Sequence, residues 1–205
     1  MRKAKLSVLP SESEDMKHIV VILFLVRAGI REWHIQDNVL KHLDDGWDMM
    51  IAFPPCTHLS SSSARWFKEK QKDGRQKEAI DFFMLFVNSS IPKIAIENPV
   101  GIMSSLYRKP DQYIHPYYFG DTIPKKTCLW LKSLPLLTWS EQNTLFENKT
   151  KNEPEYIEYN SKKTKSGKSK YSIFGTMPST NNPENARKRS VLSSFIAKAM
   201  AEQWG

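Results

Sequence analysis

Two residues stand where an α/β protein does its chemistry. Cys56 follows Pro54-Pro55 at the end of the apolar run "MMIAF", and Glu97 follows "KIAI" and precedes Asn98-Pro99. A thiol fixed by prolines just beyond a strand is placed like a nucleophile on a rigid base. The serine-rich stretch behind it, "THLSSSSAR", reads as a flexible loop able to close over a substrate. A carboxyl group at the next strand end can sit beside the thiol. Each residue also has a plain alternative: a reduced cysteine often serves as a small buried hydrophobe, and a glutamate before Asn-Pro can simply fix a turn. Their recurrence at two successive strand ends favours the chemical reading.

The elements that must position them follow from hydrophobic pattern. "HIVVILFLV" is a continuous β-branched run and reads as a buried strand, with a short helix as the alternative. "DNVLKHLDDGWD" predicts a helical turn closed by Gly46, and "WDMMIAFPP" a second buried strand halted by proline. Ala79, Phe82, Phe83 and Phe86 recur at helical spacing between Gly74 and Asn88, which predicts a helix with one apolar face. "IPKIAIENP" is a third strand. "KKTCLWLKSL" reads as an outer strand, and "VLSSFIAKAMAEQW" as a closing helix with Leu192, Phe195, Ile196 and Ala199 on one side. This order predicts an α/β fold with a largely parallel sheet, whose functional groups collect at the carboxyl ends of the strands. Residues 135–189 hold few apolar residues and read as an irregular basic insert; residues 1–33 form an atypical N-terminal segment of the same single domain.

At 205 residues with 40% hydrophobic content the chain can bury one core. Its longest apolar run is too short to span a bilayer and is flanked wrongly for a secretory signal, so a soluble cytoplasmic protein with no membrane partner is expected. Two cysteines, Cys56 and Cys128, make no disulfide framework, and both are expected as reduced thiols. A net charge of +8 makes a polyanionic partner such as DNA an even expectation. "SKKTKSGKSK" carries five lysines in ten residues and reads as a basic loop, either a solvated linker or a phosphate contact.

The segments "GWDMMIAFPPCTHL", "KIAIENPVGIMSSLYRKPDQ", "FGDTIPKKTCLWLKSLP" and "IAKAMAEQWG" resemble the cytosine-5 DNA methyltransferase family, in its short phage and prophage form, over roughly residues 34–135 and the last twenty. In that family Pro-Cys after one strand supplies a nucleophile and Glu-Asn-Val after the next supplies a carboxyl group; here the matching residues are Pro55-Cys56 and Glu97-Asn98-Pro99. The resemblance implies a Rossmann-like methyltransferase sheet, S-adenosylmethionine as cofactor, DNA as partner, and a bacterial host cell as setting. It implies that Cys56 adds to carbon 6 of a flipped cytosine, while Glu97, protonated when it acts, holds ring nitrogen 3 and the exocyclic amine. Thr57, Ser61, Arg65 and Asn98 would line the closing loop and the base. Lys125 and Lys126 stand where the family carries a Gln-x-Arg-x-Arg stretch, a loose correspondence because lysine offers a point charge and no bidentate fork. Arg65 is read as a phosphate contact in preference to a cover for the Trp66 ring, and Trp66 and Trp130 as packing residues. The chemistry requires no metal.

Two departures concern the methyl donor. The family's Phe-x-Gly-x-Gly loop is absent, so the sheet is expected to be incomplete at its first strand, a slot that "HIVVILFLV" can fill. The residue that meets the donor's adenine is displaced, leaving Asp37 or Asn38, with Pro54, as the donor-binding candidates. The alternative reading is a noncatalytic nucleic-acid-binding or interaction protein on the same scaffold. Oligomeric state and target sequence are not legible.

Overall fold

The computed structural model describes residues 37–123, 125–139 and 192–205, together with the backbone of Val20–Ile22 and of four short strands between residues 143 and 172. The chain divides into two compact units. One holds residues up to Tyr113, Thr127–Leu136 and the last two residues; the other holds Ile114–Lys126 and Leu137–Gln203.

The first unit is built on a mixed sheet. Its strands are β1 (Val20–Ile22), β2 (Met49–Phe53), β3 (Lys93–Pro99), β4 (Gln112–Ile114, whose last residue belongs to the second unit) and β5 (Thr127–Lys132), in the spatial order β1-β2-β3-β5-β4. Strands β2 and β3 are parallel, with Met49 opposite Lys93 and Ala52 opposite Ile96. Such a pair needs a crossover, which is supplied by α1 (Phe67–Lys72) and α2 (Arg75–Val87). The pairs on either side run the other way: β1 is antiparallel to β2, and β5 antiparallel to β3. The sheet is therefore mixed, where the apolar runs alone predict a largely parallel one. Buried strands of either direction read as continuous hydrophobic runs, so the pattern carries no directional signal.

Strand β5 corrects a second expectation. It lies inside the sheet between β3 and β4, with Thr127, Cys128, Leu129 and Trp130 all buried, and the short β4 takes the outer place. "HIVVILFLV" does contribute a strand beside β2, of three residues and reversed.

Alternation along the strands defines two faces. Met50 and Ala52 of β2, Ile94 and Ile96 of β3, and Cys128 and Trp130 of β5 share a cluster with Ala79, Phe83 and Phe86 of α2. The predicted helical spacing thus places α2 on the sheet, with Phe82 half-buried at its margin. Phe83 meets Trp130 edge-on at 5.2 Å between ring centroids, and the indole N–H of Trp130 donates to the Arg108 carbonyl at 2.9 Å. The alternate residues Ile51, Ala95 and Leu129 are buried as well, so the central strands are covered on both faces.

Gly74 starts α2 in a left-handed conformation (φ 86°), which explains a glycine between two helices. Beyond β3 a single turn, α3 (Met103–Leu106), leads toward β4.

In the second unit α4 (Ser194–Trp204, whose last residue belongs to the first unit) buries Ile196, Ala199 and Met200, while Phe195 is 44% exposed. Of the expected face, Ile196 and Ala199 are buried and Leu192 is half-buried, while Phe195 turns outward and Met200, four residues on from Ile196, takes its place. Among the described residues of the insert two antiparallel ribbons appear, Asn143–Thr144 with Glu147–Asn148 and Ile157–Tyr159 with Lys170–Ser172, so the region is not wholly irregular. Most of "SKKTKSGKSK" lies outside the described residues. Among the described residues, no helix is long and apolar enough to cross a membrane.

Candidate site at the carboxyl edge of the parallel pair

Because β2 and β3 are parallel, their carboxyl ends reach the same sheet edge, and this brings the Cys56 turn and the Glu97 strand end together. Glu97 and Asn98 are the last buried residues of β3, at 8% and 2% exposure. Extending the register of the parallel pair sets Asn98 level with Pro54, and the Asn98 amide donates to the Pro54 carbonyl at 2.7 Å. A buried side-chain amide thus ties the proline turn to the neighbouring strand, fixing the backbone from which Cys56 projects. Cys56 is partly exposed, whereas Cys128 is fully buried in β5.

The residues after Cys56 form a tight turn. The Cys56 carbonyl accepts from the backbone N–H of Leu59 at 3.0 Å and of Ser60 at 2.8 Å. Ser60 then caps a short 3₁₀ segment, Ser61–Trp66, accepting from the Ser62 N–H with its hydroxyl at 3.3 Å. The serine run that composition marks as a flexible loop is therefore a capped turn, because serine hydroxyls compete for nearby backbone groups as readily as they loosen a chain.

A second set of bonds joins this turn to the chain leaving β3. Ser61 donates to the Val100 carbonyl and Ile102 to the Leu59 carbonyl, each at 2.9 Å, around an antiparallel bridge between Ser60 and Gly101. The approach is so close that a Cβ on Gly101 would lie 2.1 Å from the Leu59 carbonyl oxygen.

The crossover helices hold the turn from the other side. Lys70 of α1, 7% exposed, donates to the Thr57 carbonyl at 2.7 Å. Ser63 adds a hydroxyl bond to the same carbonyl at 3.0 Å, and Gln76 of α2 donates to the His58 carbonyl at 3.3 Å. Lys70, Gln76 and Gly101 escape sequence reasoning. The first two sit in the polar run "FKEKQKDGRQKEA", and only the three-dimensional crossover turns them inward.

His58 lies in this turn with a shifted titration. Burial first, then the charges of Lys70 and Arg75, hold its imidazole below the usual histidine range. Its Nδ1 is buried without a hydrogen-bond partner among the described residues. A folded-state value below the unfolded one means that the unfolded chain binds the extra proton, so stability is lost as pH falls through about 6.5 toward the folded value. The denaturation midpoint is expected to fall between pH 7.5 and pH 5.5, and His58→Gln to flatten that slope. An unchanged slope in the variant would remove His58 as its source.

The remaining site candidates divide. Thr57 and Ser61 belong to the turn through their backbone groups. The Arg65 guanidinium lies 5.2 Å from the centroid of the Trp66 ring, which is 49% exposed. Trp66 is thus no core residue, and Arg65 takes the ring-covering arrangement that the sequence reading ranked second, since a stacked guanidinium stays solvated at its edge. Trp130 is a packing residue as expected. Lys125 and Lys126 precede β5 in the second unit.

Asp37, Asn38 and Pro54, the donor-site candidates, direct polar groups within the protein. Asn38 caps the turn Val39–His42 by accepting from the Leu40 N–H at 3.1 Å. The Asp37 carboxylate accepts from Lys41 at 3.0 Å and from the Asn38 N–H at 2.6 Å, and these bonds hold it below the usual carboxylate range. The Pro54 carbonyl takes the Asn98 amide. At Gly101, the glycine beside the site, the space a Cβ would fill is occupied by Leu59 and not left for a ligand. No group of residues with metal-ligand character occurs among the described residues.

The fold and site define a mixed α/β protein with a thiol and a buried carboxyl group at one sheet edge. No family model, no curated protein and no solved structure matches the chain.

Proposed function

We propose that the chain is a DNA cytosine-5 methyltransferase-like protein, with the base-activating half of that reaction built at the β2–β3 edge. The observation that carries this reading is the placement of the Pro55-Cys56 turn and the Glu97-Asn98 strand end side by side at the carboxyl edge of one parallel pair.

Cytosine is a poor carbon nucleophile. Addition of the Cys56 thiolate to ring carbon 6 forms a carbon–sulfur bond and moves the carbon 5–carbon 6 electron pair toward carbon 5, which becomes enamine-like and nucleophilic. Glu97 holds ring nitrogen 3 and supplies the proton that neutralises charge on the ring as addition proceeds. After substitution at carbon 5, loss of the proton there restores the double bond and expels the thiolate. The target base must leave the duplex stack to meet the thiol, and the basic charge of the chain supplies phosphate attraction.

Glu97→Gln is expected to slow methyl transfer by roughly 10²- to 10³-fold while leaving the fold unchanged. An unaltered rate would remove Glu97 from the chemistry. The internal bonding of Asp37, Asn38 and Pro54 favours one rival, a nucleic-acid-binding protein on the same scaffold without catalysis. Calorimetry with S-adenosylmethionine separates the two: saturable one-to-one binding supports the enzyme, and no binding by folded protein supports the rival.

A further inference from the structure

Lys70 is an unusual residue for the place it occupies. Lysine is almost never buried unless paired with an acid, because desolvating an ammonium is costly. Lys70 is buried, yet no carboxylate among the described residues lies within ion-pair distance of its Nζ. The acids nearest in sequence are taken by another cation: Arg75 donates to Asp73 at 2.7 Å and to Glu69 at 3.3 Å on the protein surface. Lys70 instead points at the Thr57 carbonyl, one residue beyond Cys56. Burial, then the charge of Arg75, holds the Lys70 ammonium below the usual lysine range, and an uncharged donor could make that single bond at lower desolvation cost, so a charge placed here calls for a use.

We infer that Lys70 is a positioning residue for the Cys56 turn: its ammonium pins the Thr57 carbonyl, one residue along the chain from the thiol, and its positive charge on that turn favours the thiolate form that reacts. The principle is general, since thiols next to a lysine ionise more readily than free cysteine. The other charged or titratable groups around the turn are His58 on the turn itself and Glu69, Asp73, Arg75 and Glu78 from the crossover helices and their junction, with Glu97 buried near the adjoining end of β3. Of these, Glu97 opposes the thiolate when ionised. The acids at 69 and 73 are already answered by Arg75.

This rests on Cys56 being the reacting thiol of the proposed function, and it is tested without DNA or methyl donor. The rate at which iodoacetamide alkylates Cys56 is followed by mass spectrometry of its peptide between pH 5 and pH 10, in the wild type, Lys70→Met and Lys70→Arg. Cys128, fully buried, serves as the unreactive reference. The wild type is expected to show an apparent pKa below the value of about 8.5 for free cysteine. Lys70→Met should raise it by about one unit and slow alkylation at pH 7 roughly tenfold, and Lys70→Arg should retain most of the wild-type profile. A merely structural lysine would alter the unfolding midpoint and leave the profile of the folded protein in place. Superimposed wild-type and Lys70→Met profiles would overturn the inference. Should Lys70→Met fail to fold, the wild-type profile decides: titration at or above about 8.5 overturns the role and titration below it supports it. A shifted profile in a protein that transfers no methyl group would sink the methyltransferase reading and leave the role of Lys70 standing.

Discussion

Under the proposed chemistry Cys56→Ala is expected to abolish methyl transfer to duplex DNA, by roughly 10⁴-fold or more, while the unfolding midpoint stays close to that of the wild type. The loss follows from the chemistry: without the sulfur no bond forms at carbon 6, and carbon 5 never becomes nucleophilic. The stability follows from the structure. Cys56 is partly exposed, and the bonds to its own carbonyl and to the Pro54, Thr57 and Leu59 carbonyls remain available in the alanine variant. The two readouts must separate. Transfer at a wild-type rate by the variant, measured as label incorporated into DNA, would end the role of Cys56.

The second large effect is on the fold. Gly101→Ala places a methyl group 2.1 Å from the Leu59 carbonyl oxygen and 2.8 Å from its carbon, both backbone atoms with no flexible end to yield. Relief requires the chain after β3 to separate from the Cys56 turn, which breaks the bonds from Ser61 to Val100 and from Ile102 to Leu59. Overpacking together with two lost backbone bonds is expected to destabilise the protein by about 2–4 kcal/mol, readable as a lower midpoint in urea. Activity of the proposed kind should fall with stability, because the same bonds hold the Cys56 turn. A variant as stable as the wild type would show that the bridge between Ser60 and Gly101 is dispensable.

These two residues show how unevenly the sequence speaks. The place of Cys56 just beyond a strand is legible because a proline pair stops the apolar run of β2. The place of Glu97 near the end of a strand is legible because Pro99 closes the apolar run of β3, although Glu97 itself lies within the strand. Helix α2 could be read from Ala79, Phe83 and Phe86 because a one-sided helix repeats its apolar residues at a period that nothing else produces.

Strand direction could not be read. Met50 and Ile94 are as apolar in a parallel pair as Leu129 is in an antiparallel one, and the interior place of β5 depends on pairings between residues some thirty positions apart. Gly101 looked like any loop glycine, since the Leu59 carbonyl that excludes a side chain there is forty-two residues away in the chain (101 minus 59). Lys70 was hidden among exposed lysines of the same helix. Burial of a charged residue is decided by what the helix packs against, and composition is blind to that. The serine run misled in the opposite sense, because residues that loosen a chain in isolation also cap a turn when a carbonyl and an N–H are offered.

The most direct test needs no methyl donor. If the thiolate adds to carbon 6 while Glu97 holds the ring, carbon 5 can take a proton from water, and reversal then exchanges the hydrogen originally there. Duplex DNA incubated with the protein in heavy water, digested to nucleosides and weighed by mass spectrometry, should show deoxycytidine heavier by one mass unit with the wild type and unchanged with Cys56→Ala. Unlabelled deoxycytidine from DNA that the folded wild type demonstrably binds, or labelling that persists in Cys56→Ala, would contradict the proposed chemistry.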